Sequence, residues 1–183
     1  MNIHVFDEKN DLGPMSEIDV FDQLAEWRGS SVVDVGCGRG DLAYALAERG
    51  ADVLGIEPDP IQAEINKNLP PQSNVTLVQG SATSIPFDDR SADFVIFCKS
   101  LHHIPVEEMD LALLESAREL KSKSGTLFVL EPDIKGTFSQ LVKPFHDETL
   151  VRAAALASLD RAALPFFKTC EEYWFTSVYN FKD

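Results

Sequence analysis

The stretch VVDVGCGRGDLA, Val32 to Ala43, joins an apolar run to a helix-forming run through glycines at every second position, Gly36, Gly38 and Gly40. Without a Cβ these residues reach positive φ and let a ligand approach the main chain closely. The helix after the turn begins at about Asp41, and its free N–H groups face the same place. The spacing matters. Dinucleotide turns read GxGxxG and seat a pyrophosphate on the helix N-terminus. Here the pattern is GxGxG followed by Asp41, a carboxylate that repels a pyrophosphate but tolerates an amino group or a sulfonium charge.

Working outward, short apolar runs recur at Val32 to Val35, Asp52 to Ile56, Val75 to Val78, Phe94 to Cys98 and Thr126 to Leu130, each separated by a helical or loop segment. This rhythm specifies βαβ units. Ser16 can cap a first helix that sets Ile18, Phe21, Leu24 and Ala25 on one face. Gly50 stops the helix that follows the glycines, Asp59 or Pro60 starts the next, and Pro105 opens a longer one with Glu107 and Glu108 early and Lys121 and Lys123 late. Strands apolar on both faces belong where helices cover both sides of a parallel sheet. The expected fold is therefore α/β, a doubly wound, mostly parallel Rossmann-like sheet of six or seven strands. Beyond Glu131 the rhythm changes: an alanine-rich helix spans Thr149 to Ala163, and EEYWFTSVYNF reads as a closing strand.

The composition narrows the partners. The chain has 183 residues, 44% of them hydrophobic, and a formal charge of −14. Its length suits one domain over 1–183, with a core at about 30–135 and the flanks 1–29 and 136–183 as cover for a substrate site. The acidic balance argues against nucleic acid and against an anionic membrane surface. Cys37, Cys98 and Cys170 lack metal-site or disulfide-framework spacing, and no run is long enough to span a bilayer, so a cytoplasmic setting is expected.

Two further signals accompany the glycine turn. In GIEPDP, Glu57 ends its strand beside the crevice, where an acid can accept both hydroxyls of a ribose, and Pro58 follows it. In VQGSATSIPF, Ser81 and Ala82 fall at a neighbouring strand end and leave room for a flat ring. Taken together, VVDVGCGRG, GIEPDP, GSATSIPF, FVIFCKSLHHI and GTLFVLEP resemble the class I S-adenosylmethionine-dependent methyltransferases over roughly Val32 to Pro132.

The resemblance implies S-adenosylmethionine as cofactor and S-adenosylhomocysteine as product. Asp34 and the backbone of Gly36, Cys37, Gly38 and Gly40 would hold the methionine end, Glu57 with Pro58 the ribose, Ser81 and Ala82 the adenine, and Cys98 with Lys99 would lie under the sulfonium. The family often has aspartate where this chain has Ser81, and its sheet commonly ends in a hairpin in the order 3-2-1-4-5-7-6, of which this chain holds only the first strand. Methyl transfer from a sulfonium is an in-line displacement that needs no metal. A hydroxyl or ammonium acceptor needs a general base, for which the candidates are His102, His103, Glu131 and His146, with His103 first because it lies just beyond the strand end. The expected acceptor is a small molecule. The alternative is a catalytically silent module that keeps the fold and binds the cofactor, and the GxGxG spacing argues against a nicotinamide-dependent reductase.

Overall fold

The computed structural model describes residues 8–122 and 124–177. Five strands, β2 (Ser31–Val35), β3 (Asp52–Glu57), β4 (Val75–Gln79), β5 (Phe94–Cys98) and β6 (Thr126–Leu130), form one parallel sheet in the order β4-β3-β2-β5-β6. The three central runs, β3, β2 and β5, become strands because both of their faces are buried. Val32 and Ile96 point into a cluster with Phe21, Trp27 and Leu46, whereas their chain neighbours Val33, Val95 and Phe97 point into the opposite one with Met109 and Leu113. This is the period-2 alternation of a strand with a core on either side.

The helices supply those two layers. On one side lie α1 (Glu17–Leu24) and α2 (Asp41–Glu48), and on the other α4 (Met109–Glu119) and α6 (Thr149–Ser158). Their ends follow local chemistry. Ser16 and Asp19 form a reciprocal capping box at α1, Gly40 caps α2 at φ 81°, Gly50 lies just beyond the helix at φ 94°, and Asp59 with Pro60 starts α3 (Pro60–Asn66). The aromatic rings of Phe21, Trp27, Phe94 and Phe128 pack edge-on, tilted or stacked and seat α1 on the sheet.

The α/β doubly wound architecture is as expected, and seven strands are described, but only five share the main sheet. The other two, β1 (Asp11–Met15) and β7 (Trp174–Ser177), pair with each other in a separate parallel ribbon. The aromatic run, for which the sequence offered no pairing partner, therefore closes on the amino-terminal flank. Asn10 pins this pairing by donating from Nδ2 to the Glu172 carbonyl at 2.8 Å, a partner 162 residues away that no local pattern discloses. The expected strand continues past Ser177 into positions that lie outside the described residues.

Two helix boundaries also differ. Pro105 stands in a turn closed by Glu108 N–H to the Pro105 carbonyl at 2.8 Å, and α4 begins only at Met109. Lys121 lies past the end of α4 and serves as the ion-pair partner of Asp93 at 2.7 Å, while Lys123 is outside the described residues. The alanine-rich helix is regular to Ser158 and then widens into a π-helical turn, Leu159–Ala163. Between β6 and α6 the chain forms a short helix, α5 (Thr137–Val142). Among the described residues no helix is long and apolar enough to cross a membrane.

Candidate active site

The chain runs from β2 outward through β3 to β4, then returns across β2 to β5. The order of the sheet thus reverses between β2 and β5, and a crevice opens at the carboxyl ends of the strands beside such a switch. A cleft of about 520 Å³ lies there, lined by Val35, Gly36 and Gly38 from the glycine turn, Glu57 and Pro58 from the end of β3, Ser81 and Ala82 after β4, and Lys99, Ser100 and His103 after β5.

The three glycines do different work. Gly36 has φ 74°, and a Cβ there would stand 2.6 Å from the Cβ of Ser100, so the turn can lie against β5 only without a side chain. Gly38 has φ 53° and nothing within 4 Å of the place a Cβ would take, which leaves its face open to the cleft. Gly40 lies behind the cleft as the left-handed cap of α2, with Leu77 2.9 Å from an added Cβ. Backbone bonds clamp the turn to β3: the N–H groups of Gly36 and Cys37 both donate to the Ile56 carbonyl, at 2.8 and 3.0 Å.

Glu57 is only 8% exposed and is already a structural acceptor. Its Oε2 takes the Gly38 N–H at 2.8 Å and its Oε1 the Asp59 N–H at 2.9 Å. An ionised carboxylate has about four acceptor positions, so two more donors can be met. Asn66, buried at the end of α3, donates from Nδ2 to the Gly38 carbonyl at 2.7 Å. The Gly38 peptide is thereby held from both sides.

Asp34 is 1% exposed, and its Oδ2 has no hydrogen-bond partner among the described residues. Burial first, and then the nearby Glu57 charge, push its carboxyl up to about 7. Burial likewise pushes the Cys37 and Cys98 thiols up to about 12, so both are neutral thiols and neither is an activated nucleophile. Neither side chain is among the residues lining the cleft.

Beside β5, Lys99 holds a left-handed φ of 58° and its Nζ pairs with Glu17 Oε1 at 2.5 Å, which brings the start of α1 to the cleft wall. Ser100 donates from Oγ to the Val35 carbonyl at 2.5 Å. Ser81 Oγ is engaged locally, 2.9 Å from Thr83 Oγ1 and accepting the Thr83 N–H at 3.2 Å.

The adjacent histidines diverge. His102 is buried with its Nδ1 bonded to Glu131 Oε2, and its ring centroid lies 4.1 Å from that of exposed His103, which lines the cleft. Partial burial, followed by His102, lowers the His103 pKa below the ordinary imidazole value. Glu131 is thus a partner of His102 and does not line the cleft. His146 is exposed and donates from Nε2 to Glu148 Oε1, 2.8 Å away.

Sequence reasoning missed Glu17, Asn66 and Ser100. Glu17 and Asn66 carried no distinguishing signal; for Ser100 the demand for a small residue opposite Gly36 was a signal available only once β2 and β5 were known neighbours.

A Gly-rich turn and a strand-end carboxylate flanking the switch point of a doubly wound sheet define the class of nucleotide-cofactor folds to which the S-adenosylmethionine-dependent methyltransferases belong. The chain belongs to the methyltransferase domain family, whose model matches residues 33–129. It is 39% identical over 77 residues to an uncharacterized methyltransferase of Mycobacterium sp. (strain JLS), covering 42% of this chain and 30% of that protein. It is 33% identical over 125 residues to a demethylmenaquinone methyltransferase of Staphylococcus carnosus, covering 58% of this chain and 50% of that protein. Among solved structures, a putative S-adenosylmethionine-dependent methyltransferase from Listeria monocytogenes superposes with a TM-score of 0.53 at 26% identity, over 61% of this chain and 52% of that one. A Pyrococcus horikoshii protein shares the fold, with a TM-score of 0.60 at 24% identity over 69% and 60% of the two chains. The chain spans half or less of the length of the two curated relatives named here.

Proposed function

We propose that this chain transfers the methyl group of S-adenosylmethionine to an O, N, S or C nucleophile of a small molecule and releases S-adenosylhomocysteine. The observation that carries this reading is the unpartnered Oδ2 of Asp34, buried beneath a glycine turn whose Gly38 face is open to the cleft. Such an orphaned acceptor is costly unless a donor reaches it. The residues therefore fit a ligand with an ammonium end that lies along the turn.

Asp34 with the backbone of Gly36, Cys37, Gly38 and Gly40 receives the methionine end. Glu57 uses its remaining acceptor positions for the two ribose hydroxyls, with Pro58 beside it. Because Ser81 Oγ is spent on Thr83, the turn at Ser81 and Ala82 shapes the adenine site mainly through its backbone and small size. Lys99 forms the floor, with Cys98 behind it. When bound, S-adenosylmethionine supplies a methyl carbon already activated by the sulfonium charge.

The rest of the work is alignment and the exclusion of water. His103 stands at the cleft and accepts the acceptor's proton where one must leave; Glu131 orients it through His102, and His146 acts one residue further out through Glu148. The flanks supply the lid: α1 reaches Lys99 through Glu17, and α6 packs on the Leu101–His103 turn. We take 1–183 as one domain on this basis, with the core at about 30–135 and the flanks 1–29 and 136–183 as cover. Free Cys37, Cys98 and Cys170 suit a reducing, cytoplasmic setting.

Calorimetric titration with S-adenosylhomocysteine, followed by a screen for label transfer from methyl-labelled S-adenosylmethionine, tests the reading. Quinone-type acceptors come first because one relative is a demethylmenaquinone methyltransferase. Binding that Gly38→Arg abolishes is expected. A folded chain that binds neither form of the cofactor overturns the proposal, and tight binding without transfer to any acceptor favours the silent module.

A further inference from the structure

At the turn after β5, three side chains converge from two parts of the chain. His102 and His103 come from the turn after β5, and Glu148 from the residue that precedes α6. One ligand-type atom of each lies within 4.8 Å of the others. The His102 ring is 2% exposed, and its Nδ1 is tied to Glu131. An ionised carboxylate only accepts, so Nδ1 carries the proton and, in a neutral ring, Nε2 presents a bare lone pair.

That lone pair faces Glu148 Oε1 at 3.8 Å. The separation exceeds a hydrogen bond, and with the ring neutral two electron-rich atoms oppose each other there. A cation bonded to each at about 2.0–2.2 Å spans such a gap at an open angle. The surrounding charges agree with one. Glu131 and Glu148 bring two negative charges, and Arg152, bonded to Glu148 Oε2, offsets one of them. His146 Nε2 donates to the same Glu148 Oε1 at 2.8 Å, so its proton is directed at the carboxylate and it stands outside the ligand set. Glu131 on the outer nitrogen of His102 is the carboxylate–imidazole arrangement that fixes the tautomer of a metal-bound histidine.

We infer that His102, His103 and Glu148 bind a divalent transition-metal ion of the zinc class, with Glu131 orienting His102. His102 is held in place, while exposed His103 can rotate to close the remaining distance. The ion would join the turn after β5 to the segment carrying α6 and so fix the lid to the sheet. Its other consequence rests on the methyl-transfer reading above: the ion takes the lone pair through which His103 accepts a proton, so loading slows transfer to hydroxyl acceptors. The site itself does not depend on that reading.

The test is titration of the chelator-stripped chain with Zn2+ by calorimetry and with Co2+ by visible absorption. One equivalent is expected, with the Co2+ bands of a four- or five-coordinate site. His103→Ala, whose side chain is exposed and not needed for the core, and Glu148→Gln are each expected to weaken binding at least about tenfold, and Glu131→Gln by a similar factor. Circular dichroism and S-adenosylhomocysteine affinity on the same samples separate loss of the ion from loss of the fold or of the cofactor site. Absence of a stoichiometric ion, or an affinity that only His146→Ala reduces, overturns the inference and leaves His102 with a structural role, bonded to Glu131.

Discussion

Lowering the pH from 8 to 6 is expected to weaken S-adenosylhomocysteine binding through Asp34. In the ligand-free chain this carboxyl is 1% exposed and pushed up to about 7. A ligand ammonium that bonds Oδ2 needs the carboxylate, so below that value each binding event must release a proton. With a single group titrating at about 7, affinity falls about tenfold between pH 8 and pH 6, equivalent to about 1.4 kcal/mol. Calorimetry in buffers of different ionisation enthalpy reads both the affinity and the proton release, which should approach one proton at pH 6.

The same group sets a stability trend of opposite sense. Its folded pKa is raised above the ordinary 3.8, so its contribution is fully present below that value and is lost as the pH rises through about 7. Asp34→Asn should therefore make the ligand-free chain more resistant to urea at pH 8, by an amount on the order of a few kcal/mol, while binding the cofactor less well. Affinity that is flat across this range, or that keeps the same pH dependence in Asp34→Asn, refutes the assignment.

Gly36→Ala places a Cβ 2.6 Å from the Ser100 Cβ at φ 74° and should cost about 2–5 kcal/mol in urea unfolding. Adding Ser100→Gly should recover the contact part of that loss and leave only the backbone strain. Gly38→Ala, with open space at φ 53°, should cost only about 1 kcal/mol in stability yet reduce cofactor affinity, and equal effects of the two substitutions on both readouts would contradict the division of roles. Glu57→Gln replaces one of two acceptor oxygens with a donor that must oppose either the Gly38 or the Asp59 N–H. A loss of about 1–3 kcal/mol in thermal unfolding is expected, and an unchanged melting curve would show that these bonds do not hold the turn.

Much of the core was legible because its chemistry is local. Five apolar runs became five strands, Ser16 and Asp59 cap the helices that they precede, and the GxGxG turn stands at the end of β2, where Gly36 and Gly38 line the cleft. Of the expected cofactor residues, Gly36, Gly38, Glu57, Pro58, Ser81, Ala82 and Lys99 line one cleft, while Asp34, Cys37, Gly40 and Cys98 stand behind it or beside it. The pairing of β7 with β1 was not legible. Parallel pairing over 160 residues depends on where the intervening layers leave the two flanks, which composition does not encode.

The histidines show the limit most plainly. His102 and His103 are the same residue type in adjacent positions, and sequence by itself determined only that one of them can face a crevice at the end of β5. The tertiary structure decided which, because β6 brings Glu131 against His102 and α6 brings Glu148 alongside it. For the glycine turn, sequence determined the backbone freedom, since that is a property of residues without a Cβ. That Gly36 must admit Ser100, that Asn66 and Glu57 hold the Gly38 peptide, and that Oδ2 of Asp34 has no partner among the described residues were decided only by the approach of distant segments, because a buried donor or acceptor is matched in space and not along the chain.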